Sequence, residues 1–257
     1  MEPKGDFSDH HEKRARSNIV LCDREVRRWI GDPTLPSSQM VPLIHRELME
    51  GVETYSEKGL TPIEPGESRK VDLRTGGSPE NFYVRGMDVE PVLRAYYQEL
   101  DRIGNREVAT WTKIAETIHD AAWAYYVFGR IHPFLDGNGR TGRKILKKVI
   151  KSRGLKEIVF EPARDNEKAR DSHLNALSAT DSSGNLAHVE LYLATLLRLR
   201  YLAPGDREIR FQIDTVCQKR REEITAQKSK RPLTDIWEGF RGLDMYNVEQ
   251  EEYPPAG

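Results

Sequence analysis

The segment IHPFLDGNGRTGRKILKKVIKSRG, residues 131–154, decides how the rest of the sequence is interpreted. Pro133 cannot continue a helix, whereas Gly137 and Gly139 permit backbone angles that other residues avoid. After Asn138 the apolar residues return at helical spacings of three and four and continue to the end of the segment. The segment therefore predicts a helix, a tight glycine-rich loop and a second helix.

The loop carries the chemistry of phosphate binding. The first N–H groups of a helix lack internal partners and the helix dipole adds partial positive charge, so a helix N-terminus binds phosphate. Gly137 and Gly139 let the backbone come close to an anion. Arg140 and Arg143 are three residues apart and share one face of the first turn, where they can clamp further phosphate oxygens.

Three further residues complete the predicted site. Asp136 supplies a hard oxygen ligand where a magnesium ion would bridge phosphates. His132 supplies an imidazole that is largely neutral near pH 7 and can accept a proton. Phe134 is predicted to be a structural anchor that buries the underside of the loop. These parts predict phosphoryl-type transfer, which requires positioning, charge neutralisation and a base.

Two other motifs approach this loop without matching it. Residues 137–144, GNGRTGRK, have the glycine spacing of a P-loop, but Arg stands where Lys is required and Lys where Ser or Thr is required. An EF-hand loop that starts at Asp136 would need glycine at Thr141 and glutamate at Lys147.

The twelve residues from His132 to Arg143, HPFLDGNGRTGR, resemble the Fic signature H-P-F-x-[DE]-G-N-G-R-x-x-R at every specified position. A looser resemblance in architecture extends from about Met40 to Leu202. It implies a mainly α fold, a Fic-type helical bundle with one β-hairpin flap. It also implies transfer of AMP from ATP to a Ser, Thr or Tyr hydroxyl of a target protein, with Mg²⁺ as the cofactor.

The resemblance assigns roles to individual residues. His132 would be the base that takes the hydroxyl proton, and Asp136 would hold Mg²⁺ between the α- and β-phosphates. The phosphate-binding set would be Gly137, Asn138, Gly139, Arg140 and Arg143. In that set the two arginines would hold the β- and γ-phosphates, and the other three would hold the α- and β-phosphates.

The resemblance also bears on two regions of the sequence outside the loop. Residues 68–86 alternate apolar and polar positions around a turn-rich centre, and we expect a flap at 69–86 that aligns a target segment by main-chain hydrogen bonds. It is expected to be the only prominent β element. In His173-Leu174-Asn175-Ala176-Leu177, the tyrosines that many Fic proteins carry near the nucleotide base are missing, so the base preference stays open.

An inhibitory element is also predicted. Many Fic proteins carry the pattern [ST]-x-x-x-E-[GN], whose glutamate pairs with the last arginine of the signature and blocks the γ-phosphate. Here Arg46–Gly51, RELMEG, matches at Glu50 and Gly51 but has Arg46 in place of Ser or Thr. The alternative interpretation of Glu50 is a solvated residue at a helix end.

Composition limits the remaining possibilities. The chain has 257 residues and a formal net charge of -1, so no global charge attracts it to nucleic acid or a membrane. The polar N-terminus lacks the apolar core of a secretory signal, and no apolar run reaches the roughly 18 residues that span a bilayer. We expect a soluble, cytoplasmic protein with two free thiols, Cys22 and Cys217.

The expected organisation is a polar N-terminal segment at 1–37, a Fic core at 38–203, and a helical extension and tail at 204–257. The predicted function is protein adenylyl transfer, and self-modification is open. The alternatives are the same scaffold with UTP, GTP or CDP-choline as donor, removal of AMP from a modified protein, or a nucleotide-binding regulatory module without catalysis. The target and the oligomeric state are not determined by the sequence.

Overall fold

The computed structural model describes residues 14, 17, 18, 22, 35–56, 59–62, 64–73, 83–110, 112–159 and 167–226. Within these residues the chain forms seven α-helices: α1 Ser37–Met49, α2 Val89–Asn105, α3 Lys113–Ile131, α4 Asn138–Ser152, α5 Glu167–Ser183, α6 Ala187–Arg198 and α7 Arg207–Ala226. Short 3-10 turns at Gly86–Asp88 and Pro204–Asp206 precede α2 and α7. The predicted mainly helical fold is confirmed.

The β structure lies elsewhere than expected. Strand β1 (Glu53–Ser56) pairs antiparallel with β2 (Gly59–Pro62). Of the predicted flap, residues 74–82 lie outside the described residues, and its described flanks at 69–73 and 83–86 contain no strand. The pair β1–β2 is thus a β element that the sequence did not predict, beside the flap expected to be the only prominent one. Each observed strand contains only one large apolar residue, so the sequence shows no alternating apolar and polar pattern there. The two strands are recognised only from the pairing of their main chains.

Helix α3 lies at the centre of the bundle, where it contacts α2, α4, α6 and α7. Ala121, Ala122 and Ala124 are fully buried on it, and their small side chains let the neighbouring helices approach closely. Tyr126 and Phe128 are also buried, and each large side chain of this kind contributes about 1.5–3 kcal/mol when it leaves water. The central helix is therefore fixed on several sides before it ends at the loop.

Local contacts set the boundaries of two helices. Helix α3 starts at Lys113, because a turn closed by the Thr112 N–H and the Ala109 carbonyl (3.1 Å) precedes it. Helix α6 ends at Arg198. The chain turns there because Tyr201 is buried and its hydroxyl oxygen accepts the N–H of Lys156 at 2.7 Å.

Part of the N-terminal segment packs on α1. Asn18 is buried, and its Nδ2 donates to the carbonyls of Leu48 (3.2 Å) and Glu50 (2.9 Å). These carbonyls lie at the C-terminus of α1, which lacks internal partners for them. Cys22 and Cys217 are both buried free thiols.

None of the helices in the described part of the chain has the length and hydropathy needed to cross a bilayer.

Candidate active site

His132 lies at the C-terminus of α3 in a left-handed conformation, with φ 48° and ψ 58°. Its main-chain N–H donates to the carbonyl of Phe128 at 3.0 Å, and its Nδ1 lies 3.2 Å from the carbonyl oxygen of Gly129. A carbonyl oxygen only accepts, so Nδ1 carries the proton and Nε2 keeps its lone pair. This is the tautomer that a general base acting through Nε2 requires.

The surroundings of His132 keep its imidazole neutral. Burial lowers the pKa of His132 to about 4, and the nearby guanidinium groups of Arg69 and Arg130 lower it as well. The hydrogen bond to the Gly129 carbonyl and the carboxylate of Asp136 act in the opposite direction without reversing the effect. The imidazole is therefore uncharged at neutral pH and can accept a proton.

Asn138 closes the loop through the backbone of Phe134. Its Oδ1 accepts the Phe134 N–H at 2.9 Å, and its Nδ2 donates to the Phe134 carbonyl at 2.7 Å. Asn138 is only 3% exposed. The side chain predicted to hold phosphate oxygens is thus engaged within the loop.

His45, on α1, packs against the loop and forms a hydrogen bond with its backbone. Its ring stacks on the buried ring of Phe134 with 3.7 Å between centroids and 12° between planes, which is the packing expected of an anchor. The Gly66 N–H donates to Nδ1 at 2.8 Å, so the other nitrogen, Nε2, carries the proton that it donates to the Asp136 carbonyl at 3.0 Å. Burial lowers the pKa of His45 to about 4, so this neutral form persists.

Gly137 is the turn residue immediately before α4. Its φ is 77°, and a Cβ there would lie 2.6 Å from Sδ of Met49. Both the conformation and the contact therefore require glycine. Gly139 is exposed on the first turn of α4, so the helix N-terminus presents an open surface that fits an anion.

The charged residues of the loop surround this N-terminus. The Asp136 side chain is 46% exposed, its Oδ1 accepts the Gly137 N–H at 2.5 Å, and its Oδ2 lies 3.3 Å from Nη2 of Arg140. The Arg143 side chain extends next to Gly139, whose Cβ, if present, would lie 3.4 Å from Nη1. The structure thus brings Asp136, Arg140 and Arg143 to one end of α4.

Arg143 is linked to a buried tyrosine and histidine. It forms a side-chain hydrogen bond with Tyr125, whose hydroxyl oxygen lies 3.2 Å from Nε2 of His173. A guanidinium only donates, so the Tyr125 oxygen accepts from Arg143 and its O–H donates to His173. Burial, together with Arg143, lowers the pKa of His173 to about 4, so Nε2 is free to accept. These bonds fix the direction of Arg143.

Glu50 caps the C-terminus of α1, and its side chain is exposed. Among the residues that the structure describes, no ion pair joins Glu50 to Arg143. Its inhibitory role stays a prediction.

Sequence reasoning missed three residues at this site: His45, Arg69 and Tyr83. The ring of Tyr83 lies 4.0 Å from that of His132, and Arg69 is hydrogen-bonded to the start of the loop. Tyr83 and Arg69 lie at opposite ends of the segment predicted as the flap, which was the available signal for them. His45 follows Ile44 on the apolar face of α1, a position more typical of packing than of chemistry.

Comparison with known proteins points to the same family as the loop. Residues 36–149 match the model of the Fic/DOC family. Protein adenylyltransferase Fic of Drosophila yakuba is 28% identical over 127 residues, and that of Drosophila persimilis is 28% identical over 120 residues. These matches take up 48% and 46% of this chain but only 21% and 20% of the two relatives, so the chain spans about a fifth of their length.

Solved structures share the fold at low identity. A Fic domain-containing signaling protein of Bacteroides thetaiotaomicron has a TM-score of 0.56 at 18% identity, over 86% of this chain and 76% of its own. The N-terminal FIC domain of Bep8 from Bartonella sp. 1-1C has a TM-score of 0.51 at 15% identity, over 80% of this chain and 89% of its own. Residues 36–149, which include the loop between α3 and α4, are thus similar to the Fic/DOC family, and the helical bundle has the fold of the solved Fic domains.

Proposed function

We propose that this chain transfers AMP from ATP to a hydroxyl side chain of a target protein, with His132 as the general base. The observation that carries the proposal is a neutral imidazole at the end of α3, separated by one short braced loop from the open N-terminus of α4. Such a pair supplies a proton acceptor beside a phosphate-binding end. The names of the adenylyltransferase relatives support the same reaction.

The proposed reaction forms one bond at the α-phosphorus and breaks another. Nε2 of His132 takes the proton from the attacking Ser, Thr or Tyr hydroxyl while its oxygen forms a bond to the α-phosphorus. The bond from the α-phosphorus to the oxygen that bridges to the β-phosphate breaks, and pyrophosphate leaves. The main-chain N–H groups of Asn138 and Gly139 and the positive end of α4 stabilise the charge that develops on the phosphate oxygens.

Arg140 and Arg143 are proposed to hold the β- and γ-phosphates, since both reach the N-terminus of α4. Asp136 fits a magnesium ligand, because its carboxylate is nearly half exposed at the same place. Mg²⁺ is commonly bound by one or two carboxylates together with substrate phosphates. When bound, Mg²⁺ would neutralise charge on those phosphates.

The target segment is proposed to lie along the flap at 69–86. Two contacts support this placement: the main-chain N–H of Arg69 donates to the carbonyl of Pro133 at 2.7 Å, and the ring of Tyr83 stacks against His132. Both ends of the segment therefore touch the base or its neighbour. A hydroxyl presented there would meet Nε2.

The test incubates the protein with Mg²⁺ and, separately, labelled ATP, UTP, GTP or CDP-choline, and identifies the added group and the modified residue by mass spectrometry. We expect AMP on a Ser, Thr or Tyr side chain. His132→Ala should abolish transfer and keep ATP binding, whereas His188→Ala, on α6, should change neither. Transfer only from another donor, or nucleotide binding without any transfer, would overturn the assignment.

A further inference from the structure

The last four carbonyl groups of α3 all have hydrogen-bond partners, although a helix cannot supply them itself. Two of them accept from His132, as described above. The other two accept from the flap segment: the Arg130 carbonyl from the N–H of Val84 at 3.3 Å, and the Ile131 carbonyl from Nη2 of Arg69 at 3.2 Å. The end of the helix that carries the base is thus capped by the base and by the flap.

The Arg69 side chain makes three more bonds of this kind. Nε donates to the carbonyl of His132 at 2.7 Å, Nη1 donates to the carbonyl of Val71 at 2.6 Å, and Nη2 also donates to the carbonyl of Val84. Val71 and Val84 lie on opposite sides of the flap segment. One guanidinium therefore joins both sides of the flap to the backbone of the base.

The positive charge of Arg69 lies at the C-terminus of α3, where the helix dipole favours a cation. The side chain is 3% exposed, and among the described residues no carboxylate forms an ion pair with it. Asp72 attracts the guanidinium from nearby, but its Oδ1 accepts the N–H of Gly86 at 2.6 Å. The partners of the buried cation are carbonyl oxygens, including two at the negative end of the α3 dipole.

We propose that Arg69 is a positioning residue for the transfer reaction: its guanidinium holds His132 in the left-handed conformation and ties the base to both sides of the flap. The inference rests on the proposed function, in which His132 is the base and the flap receives the target. The inference goes beyond the proposed function, because it assigns the alignment of base and target to Arg69, a residue outside the motif.

The guanidinium of Arg69 combines a positive charge with several N–H donors, so substitutions that remove one or both can test its role. Lysine keeps the positive charge but has only three donors on a single nitrogen, so it cannot serve four carbonyls. Methionine removes both charge and donors. The groups that face His132 are Arg69 and Arg130, which lower its pKa, Asp136, which raises it, and Tyr83, which stacks on it. Arg69→Met should therefore raise the pKa of His132, whereas Arg69→Lys should leave it nearly unchanged.

The test uses the full chain with Arg69→Lys, Arg69→Met and the control Arg94→Met, an exposed arginine on α2. We expect kcat to fall about 10²-fold in both Arg69 variants, the cost of a misplaced reacting group, with the Kd for ATP unchanged. NMR titration of labelled histidine should show the upward pKa shift of His132 in Arg69→Met alone. Circular dichroism checks that each variant is folded.

The outcomes separate the two proposals. A wild-type chain that transfers no nucleotide removes the proposed function, whereas the titration still tests the contact between Arg69 and His132. An unchanged His132 titration in folded Arg69→Met, or full kcat in Arg69→Lys, would overturn the positioning role. Loss of ATP binding in parallel with kcat in both variants would also overturn it, because that is the pattern of general structural damage.

Discussion

The ring of Tyr83 lies against the ring of His132, with 4.0 Å between centroids and 33° between planes. Tyr83 belongs to the flap segment and is half-buried, whereas His132 ends α3. The Tyr83 ring packs at a tilt against the imidazole, and the hydrogen bond from Nδ1 to Gly129 sets the ring rotation. Nε2 is therefore the ring nitrogen that remains for a substrate hydroxyl in the proposed reaction.

We expect Tyr83→Phe to keep this packing and Tyr83→Ala to lose it. Aromatic pairs are worth about 0.5–1.5 kcal/mol, so the alanine variant should lower the rate of nucleotidyl transfer by up to about tenfold and the phenylalanine variant should be near wild type. Single-turnover transfer rates at saturating ATP measure the difference. Equal rates in the two variants would show that the ring does not orient the base.

The bond between Arg143 and Tyr125 predicts a binding effect. Tyr125→Phe removes the hydroxyl that holds the guanidinium, and a hydrogen bond to a charged group contributes about 1.5–3 kcal/mol. We expect the KM for ATP to rise about tenfold or more, with a smaller change in kcat. Tyr96→Phe is the matched control, because it removes a buried hydroxyl that donates to the Ala124 carbonyl away from the loop. Similar ATP affinity in both variants would contradict the prediction.

Much of the fold was predictable because its signals are local. Helical spacing and the loop signals located α3 and α4, and proline and glycine located the loop between them, since caps and turns depend on neighbouring residues. His45 and Arg69 were not predictable. They contact the loop across 91 and 63 positions of sequence, and no periodic pattern reports such contacts. An arginine also suggests a solvated surface, which conceals a buried role.

Gly137 should tolerate no side chain. Gly137→Ala places a Cβ at a φ of 77° and 2.6 Å from Sδ of Met49, so we expect a loss of at least about 1 kcal/mol of unfolding free energy and weaker ATP binding. Gly104→Ala on α2 is the matched control. Nothing lies within 4 Å of its Cβ position, and it should stabilise the helix by up to about 1 kcal/mol. Urea denaturation measures both, and equal effects would refute the strain argument.

The family resemblance predicts that Glu50→Gly raises ATP-dependent self-labelling. The Glu50 side chain is exposed, so the variant removes no side-chain packing and a gain in labelling would report the loss of a brake. Glu47→Gly removes another carboxylate from the same helix and should give no gain. The measurement is the initial rate of labelling with His132 intact. An unchanged rate in folded Glu50→Gly would assign Glu50 to the solvated surface.

Two buried histidines, His45 and His173, and the half-buried His132 predict that the fold weakens in mild acid. Burial lowers the pKa of His45, His132 and His173 to about 4, below the ordinary value of 6.5. Above pH 6.5 both states are neutral at these sites, so they cost nothing. Between about pH 6.5 and 4 the unfolded chain binds more protons, so the free energy of unfolding falls by about 1.4 kcal/mol per pH unit for each extra proton.

His119 acts in the opposite direction, because its hydrogen bond to Glu190 raises its pKa and stabilises the fold when protonated. One such group offsets only part of the effect of three. Urea midpoints should therefore change little between pH 7.5 and 6.5 and fall between pH 6.5 and 5.5, with an unchanged m value. His173→Gln removes one of the titrating groups and should flatten the decline. An equal slope in the variant and the wild type would contradict the assignment, since His173 would then titrate alike in both states.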